Sequence, residues 1–304
     1  MSGASVTDTN CSYLNVYVDD AEEPTKTICL TGEAVNYVLA ENLQAGNHKI
    51  ELRKRNEAWG NNSLLVTIQS IDITGGRFTQ QPAVSEYTME VIGDSITCGH
   101  GNMVTNGTGS YSTATEDGTN TYAVLAAKQL GADVSIVSRS GMGFCRGTAN
   151  SDSIYNYYAK TAALPRNELN NTDWDFSQNP NDVVVINLGT NDNNATINGT
   201  KVTDEYITSE AVAFLQLVRE KNPNATIIWA YGMMGNERES AIKAAVDKRV
   251  ADGDKAVYYL SLTKMDIETE GTGITGHPTI ATHKDRATVL AKFIAQQTGW
   301  TLKE

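Results

Sequence analysis

The 304-residue sequence predicts an α/β fold, a five-stranded doubly wound parallel sheet preceded by a small all-β domain. Three observations carry this prediction. Residues 12–80 alternate apolar and polar positions with a period of two and show no helical spacing. From residue 87 onward, short β-branched runs alternate with segments whose apolar residues recur at helical spacing. Between the two rhythms lies TGGRFTQQPAVSE, residues 74–86, with the glycines and proline of a linker, and the domain boundary is placed between residues 82 and 83.

In the first part, SYLNVYV, KTICLT, AVNYVLA, NHKIELRKR and LLVTIQSIDIT read as half-buried strands. Turn residues at Asp19-Asp20, Gly46-Asn47 and Asn61-Asn62 separate them. Such strands make a β-sandwich of the jelly-roll kind, but only about five are visible where ~8 are usual. The domain therefore reads as shortened, with strands missing upstream or supplied from elsewhere.

In the second part, YTMEVIGD, DVSIVSRS, DVVVINLG, ATIIWAYG and AVYYLSL have the β-branched, continuously apolar character of buried parallel strands. Helices are expected over TYAVLAAKQLGA, SIYNYYAKTAAL, DEYITSEAVAFLQLVREKN and ERESAIKAAVDKRVA. A last helix runs through about RATVLAKFIAQQTG, with Thr282 and Asp285 spaced as an N-terminal cap.

Composition excludes several classes. No apolar run approaches the roughly 20 residues that span a membrane. A net charge of −12 opposes nucleic acid and anionic membranes and is indifferent to a neutral substrate. The first thirty residues lack a basic segment followed by an apolar one, which suggests a cytoplasmic protein or a trimmed form of an exported one. The cysteines at 11, 29, 98 and 145 form no CxxC pair and the four histidines are scattered, so the cysteines read as small buried residues and no structural zinc is expected.

Chemistry gathers at the strand ends, where open α/β sheets bind their ligands. The first strand ends at Gly93-Asp94-Ser95, the second delivers Gly141 and Gly143, and the third delivers Asn191. After the fifth, TEGTGITGHPTIATH returns His277 ahead of the last helix. Acyl transfer needs a hydroxyl, a base and donors aimed where negative charge develops. Ser95 supplies the hydroxyl and His277 the base. The N–H groups of Ser95 and Gly141, with the Asn191 amide, supply an oxyanion hole. Singly, each residue has an ordinary reading as a turn, cap or loop residue, and it is their order on successive loops of one sheet that favours function.

Other residues receive smaller roles. Asp94 and Asp192 brace the two loops through backbone hydrogen bonds. His283, a competitor for the base, reads as packing, as do His100 and Cys98 beneath the glycine-rich loop. The polar insert at 102–119 shapes a cleft, with Tyr111 as a sugar platform or a plain exposed tyrosine. Trp229 reads as core, Met233 as a lining residue, and Trp59 and Trp174 as domain packing. A nucleotide site at Gly141-Met142-Gly143 is rejected, because Arg146 stands where the third glycine belongs.

The motifs GDS, SGMG, GTND and HP resemble the four blocks of the SGNH (GDSL-type) hydrolase superfamily, over roughly residues 87–298. VIGDSITCGHGN, WDFSQNPNDVVVINLGTND, IIWAYGMMG, GHPTIATHKDRA and the N-terminal NLQAGNHKIELRKRNEAWG are similar to carbohydrate esterase family two. That family pairs a small jelly roll with an SGNH domain and removes O-acetyl groups from plant polysaccharides. The resemblance implies a flavodoxin-like sheet, Ser95 as nucleophile, Gly141 and Asn191 as oxyanion donors and His277 as base. It implies no metal or organic cofactor, and an acetylated xylan, mannan or glucomannan, or an oligosaccharide of one, as substrate.

One departure stands out. Many SGNH enzymes place an aspartate two or three residues before the histidine, whereas Ile274, Thr275 and Gly276 precede His277. A Ser-His dyad is therefore expected, with a backbone carbonyl holding the imidazole. Asp266, Glu268 and Glu270 remain as remote substitutes. Two other functions stay open: a GDSL-type lipase or thioesterase for longer acyl chains, and a carbohydrate-binding protein with an inert hydrolase domain.

Overall fold

The computed structural model describes residues 1–3, 11–30, 32–57, 66–80, 83, 85–149, 153–161 and 172–303. Three antiparallel strands open the chain: β1 (Tyr13–Val18) lies between β2 (Lys26–Cys29) and β3 (Ile50–Lys54). Leu14, Val16, Ile28 and Leu30 form one small buried cluster as alternation predicts, but β1 is not half-buried, since Asn15 and Tyr17 on its other face are buried against Thr119. A disulfide joins Cys11 to Cys29, so two of the four cysteines expected to be plain buried residues are cross-linked instead. Ser2–Gly3 pairs with Val66–Thr67.

One expected strand, AVNYVLA, does not form, and of LLVTIQSIDIT only Val66–Thr67 pairs as a strand. Among the described residues, 32–40 and 68–80 make no strand. Val38 and Ile71 are 54% and 47% exposed; in the first segment Val35 exchanges backbone hydrogen bonds with Met1, and Tyr37 and Leu39 rest against the small cluster, contacts too few to continue a ladder. Trp59, the Asn61-Asn62 turn and residues 81–82 at the expected boundary lie outside the described residues.

The second part is a five-stranded parallel sheet between two helical layers. In chain order its elements are β4 (Thr88–Gly93), α1 (Tyr122–Leu130), β5 (Asp133–Ser138), β6 (Val183–Asn187), α2 (Asp204–Lys221), β7 (Thr226–Gly232), α3 (Glu239–Ala251), β8 (Val257–Leu262) and α4 (Ile280–Thr298). The strands lie in the order β8-β7-β6-β4-β5, all parallel. This is the flavodoxin-like order, whose direction of winding reverses between β4 and β6 and opens a crevice there. Every residue of β6 is buried. α1 and α4 pack on one face, through Tyr122, Leu130, Leu290 and Ile294, and α2 and α3 cover the other, through Phe214, Leu215 and Ile242. No described helix is long and apolar enough to cross a membrane.

Two helix expectations need correction. The segment SIYNYYAKTAAL holds only a 3₁₀ turn, Ile154–Asn156, within described residues 153–161. Its residues are anchored one by one: Ile154 N–H donates to the Gly143 carbonyl at 2.9 Å and Tyr158 OH to Glu90 at 2.6 Å. These tertiary ties override helical spacing. The last helix begins earlier than expected, at Ile280, and its cap is Thr279, whose hydroxyl accepts from Thr282 N–H at 3.2 Å. Thr282 lies inside the helix.

Candidate active site

Ser95 stands where β4 leaves the sheet. Gly93 is required there, because a Cβ would lie 2.0 Å from Thr97 Oγ1. Asp94 then caps the single turn Ser95–Cys98, its Oδ1 accepting from Ile96 N–H at 3.0 Å. The turn ends at Gly99, with φ +80°. Ser95 is thereby held at the sheet rim with its hydroxyl free of the cap.

His277 reaches the same point from the loop after β8. That loop is docked against Gly101, whose carbonyl accepts from Ile274 N–H at 3.1 Å. A Cβ on Gly101 would lie 2.4 Å from that of Ile274. The result is a hydrogen bond of 2.8 Å between Ser95 Oγ and His277 Nε2. On the other side of the ring, Nδ1 lies 3.0 Å from the Ile274 carbonyl and 3.0 Å from Thr275 Oγ1. A proton on Nδ1 leaves the Nε2 lone pair facing the serine hydroxyl. Burial pulls the imidazole below its ordinary range, and its contacts with Ile274 and Thr275 partly oppose this.

Among the described residues no carboxylate bonds His277. Asp266 accepts from Glu268 N–H at 3.0 Å, Glu270 pairs with Arg286 at 3.0 Å, and Glu268 is exposed.

Gly141 and Asn191 flank the crevice. Gly141 has φ +80° and nothing within 4 Å of where a Cβ would stand, so this peptide borders open space. Its loop is held from β6: Asp192 accepts from Phe144 N–H at 3.2 Å and Cys145 N–H at 3.0 Å. Gly143 fits against that carboxylate because a Cβ would lie 2.4 Å from Asp192 Oδ1. Asn191 Nδ2 donates to Asp94 Oδ2 at 3.1 Å and to the Met142 carbonyl at 2.9 Å. It thus ties the serine turn to the glycine loop, and both its amide protons are engaged in this arrangement. Asp94 is wholly buried and its carboxyl is pushed up to about 7, first by burial and further by the nearby Asp192.

Three neighbours of the pair were missed in the sequence reading. His100, expected beneath the loop, stacks on Tyr111 with centroids 4.1 Å apart and leans on His277 at 4.5 Å. Tyr111 donates to Glu116 at 2.6 Å, so it is neither a free platform nor a plain exposed residue. Thr275 has the left-handed φ of +53°, unusual for a β-branched residue. Short motif spacing shows none of these contacts.

The remaining expectations divide. His283 is fully buried in α4, its Nδ1 accepting from Tyr122 N–H at 3.2 Å, so it packs as read. Trp229 is core, and its indole donates to the Leu188 carbonyl at 3.1 Å. Met233 is also fully buried, so it packs in the core instead of lining the site. Trp174 is 47% exposed, contrary to a packing role. Cys98 and Cys145 are buried free thiols.

Among the described residues, one cluster has ligand atoms close enough for a metal: those of Glu57, Cys98 and Glu116 lie within 4.8 Å of one another. Its carboxylates already accept hydrogen bonds from Ser140, Tyr111 and the Glu57 N–H, which suits bracing better than coordination.

Comparison with known proteins places the chain among related sequences and folds. A carbohydrate esterase 2 N-terminal model matches residues 2–82. The "Cellulase/esterase CelE" of Acetivibrio thermocellus is 32% identical over 298 residues, covering 95% of this chain and 34% of that protein. The "Acetylxylan esterase / glucomannan deacetylase" of Cellvibrio japonicus is 24% identical over 298 residues, covering 95% of this chain and 77% of that one. This chain therefore spans about a third of the first relative and three quarters of the second. A family two carbohydrate esterase from Clostridium thermocellum, solved in complex with cellohexaose, superposes with a TM-score of 0.84 at 27% identity, over 99% of this chain and 88% of that one. The GDSL-like lipase/acylhydrolase model matches residues 91–284, the span that holds Ser95, Gly141, Asn191 and His277, and the chain belongs to that family of ester hydrolases.

Proposed function

We propose that this chain is a carbohydrate esterase that removes O-acetyl groups from xylan, mannan or glucomannan, or from their oligosaccharides, through a Ser95–His277 dyad. In this reading residues 1–82 form the β domain and residues 83–304 the hydrolase domain. The observation that carries it is the 2.8 Å contact between Ser95 Oγ and His277 Nε2, with Nδ1 turned to a carbonyl. The carbohydrate substrate is supported by the relatives, an acetylxylan esterase / glucomannan deacetylase and a family two carbohydrate esterase solved with cellohexaose.

The chemistry follows from the contacts. His277 Nε2 takes the Ser95 hydroxyl proton as Oγ attacks the acetyl carbonyl. Negative charge moves to the carbonyl oxygen, which the N–H groups of Ser95 and Gly141 meet. Asn191 joins them by exchanging one of its present acceptors, Asp94 or Met142, for the oxyanion. The imidazolium returns its proton to the departing sugar oxygen, leaving acetyl on Ser95. Water, deprotonated by the same imidazole, then attacks the acetyl carbonyl, acetate leaves and Oγ regains its proton. Thr275 and the Ile274 carbonyl stabilise the imidazolium less than a carboxylate would.

The test is acetate release from acetylated xylan and glucomannan by the wild type, Ser95→Ala and His277→Ala. Release by the wild type and its loss in both variants is expected. Retained release in either variant removes that residue from the dyad.

A further inference from the structure

The glycine loop that carries Gly141 is open on its substrate side, so its position depends on what holds the flanking residues. Downstream, Asp192 and Asn191 hold Cys145, Phe144 and Met142 from the end of β6. Upstream, Arg139 N–H donates to the Gly93 carbonyl at 3.3 Å, and a second anchor comes from the other part of the molecule. Glu57, three residues past β3, accepts from Ser140 N–H at 2.7 Å through Oε2 and from the Ser140 hydroxyl through Oε1. Ser140 and Gly141 share a peptide bond, so whatever fixes Ser140 aims the next N–H.

Glu57 is costly where it stands. It is 8% exposed, and its own N–H donates to the carboxylate of a second buried acid, Glu116, at 3.4 Å. The charges that face the pair are Lys54, from β3 itself, and Arg139, beside Ser140. The same segment clamps the insert: Arg55 donates to the Thr113 and Ala114 carbonyls at 3.1 Å, and Asn56 to that of Thr113 at 2.7 Å. Two donors of one residue, the backbone N–H and the hydroxyl, each met by its own carboxylate oxygen, define an orientation.

We propose that Glu57 is a positioning residue for the oxyanion hole, so that the β part of the chain completes the catalytic loop of the α/β part. This rests on the esterase reading for its kinetic consequence, but the loop contact it invokes can be read without catalysis. Misplacing one donor by ~1 Å costs on the order of 100-fold in turnover.

The experiment compares Glu57→Ala, Glu57→Gln and a control, Asn15→Ala. Asn15 is equally buried and bonds Thr119 at 3.0 Å across the same interface without touching Ser140. On an aryl acetate, Glu57→Ala is expected to lower kcat ~10–100-fold with KM nearly unchanged. Glu57→Gln, which keeps one acceptor for Ser140 N–H, should recover most of that loss, and Asn15→Ala should keep kcat while losing stability. Hydrogen exchange of the peptide covering residues 139–144 should quicken in Glu57→Ala and not in Asn15→Ala. Unchanged exchange there, or a kcat loss shared equally by Asn15→Ala, would overturn the proposal. Quickened exchange in a chain whose wild type hydrolyses no ester would uphold the bracing and sink the esterase reading alone.

Discussion

The imidazole of His277 is oriented by the carbonyl of Ile274, three residues back on its own loop, at 3.0 Å from Nδ1. The turn that makes this possible puts Thr275 in a left-handed conformation, φ +53°, with its hydroxyl donating to the same carbonyl at 2.8 Å. Left-handed backbone costs an L-residue roughly 1–2 kcal/mol, and strain of this kind gathers at functional sites.

Replacing Thr275 by glycine should therefore separate stability from activity. The backbone strain disappears and the Oγ1 contact with Nδ1 goes with it. Thr275→Gly is expected to unfold at the same or a slightly higher temperature while kcat/KM falls several-fold. A variant that loses stability in proportion to activity would refute the assignment of strain to this residue.

The pH–rate profile should reflect the buried base. Burial favours neutral imidazole, so His277 keeps its lone pair to lower pH than a solvated histidine does. The acid limb of kcat/KM is expected below the ordinary value of 6.5. An acid limb above that value would mean that a carboxylate, not a carbonyl, orients the ring.

Folding stability should fall as pH rises from about 6.5 to about 8. Burial raises the carboxyls of Asp94 and Glu90 from 3.8 and 4.5 to about 7, and that of Glu116 to about 8. Each binds more proton folded than unfolded across that interval, so the native state loses ground as pH climbs. His48, raised by its bond to Asp19, acts in the same direction. The depressed histidines, His277, His100 at about 4 and His283 at about 3, act oppositely, most strongly below 6.5 and fading above it as the unfolded imidazole loses its proton. Denaturant midpoints across this range check it, and a flat or rising trend would contradict it.

Alanine at the two loop glycines should fail in different ways. Gly143→Ala drives a Cβ into Asp192, at 2.4 Å, and should cost ~1–3 kcal/mol of stability. Gly141→Ala meets no atom within 4 Å, so its stability cost comes from the left-handed backbone alone. In the proposed mechanism its methyl would border the oxyanion, and the expected loss is ~100-fold in turnover. Thermal melts and aryl acetate kinetics on both variants separate the two effects.

Much of this site was legible in the sequence because parallel strands deliver their ends to one edge. Ser95, Gly141, Asn191 and His277 each follow a strand or precede the last helix, and chain order was enough to place them together. The rest depended on contacts between distant positions. Glu57 meets Ser140 across 83 residues. Cys11 and Cys29 were not paired by spacing, since two cysteines eighteen apart suit a disulfide and two buried thiols equally well. The cap of the last helix was misread because Thr279 and Thr282 are both threonines, and Thr282 with Asp285 offered the more familiar pattern. The AVNYVLA segment shows the converse error, where alternation is present but, among the described residues, its backbone pairs only at Val35 with Met1 and forms no strand.

The central claim is that Ser95 is the nucleophile, made so by the imidazole beside it. An alkyl fluorophosphonate, which phosphonylates an activated serine, tests it most directly when peptide mapping accompanies acetate release. The account predicts a single phosphonyl group on Ser95, complete loss of acetate release, and no labelling of His277→Ala at the same dose. Full hydrolysis with Ser95 modified, or inactivation with the label on another residue, would contradict it.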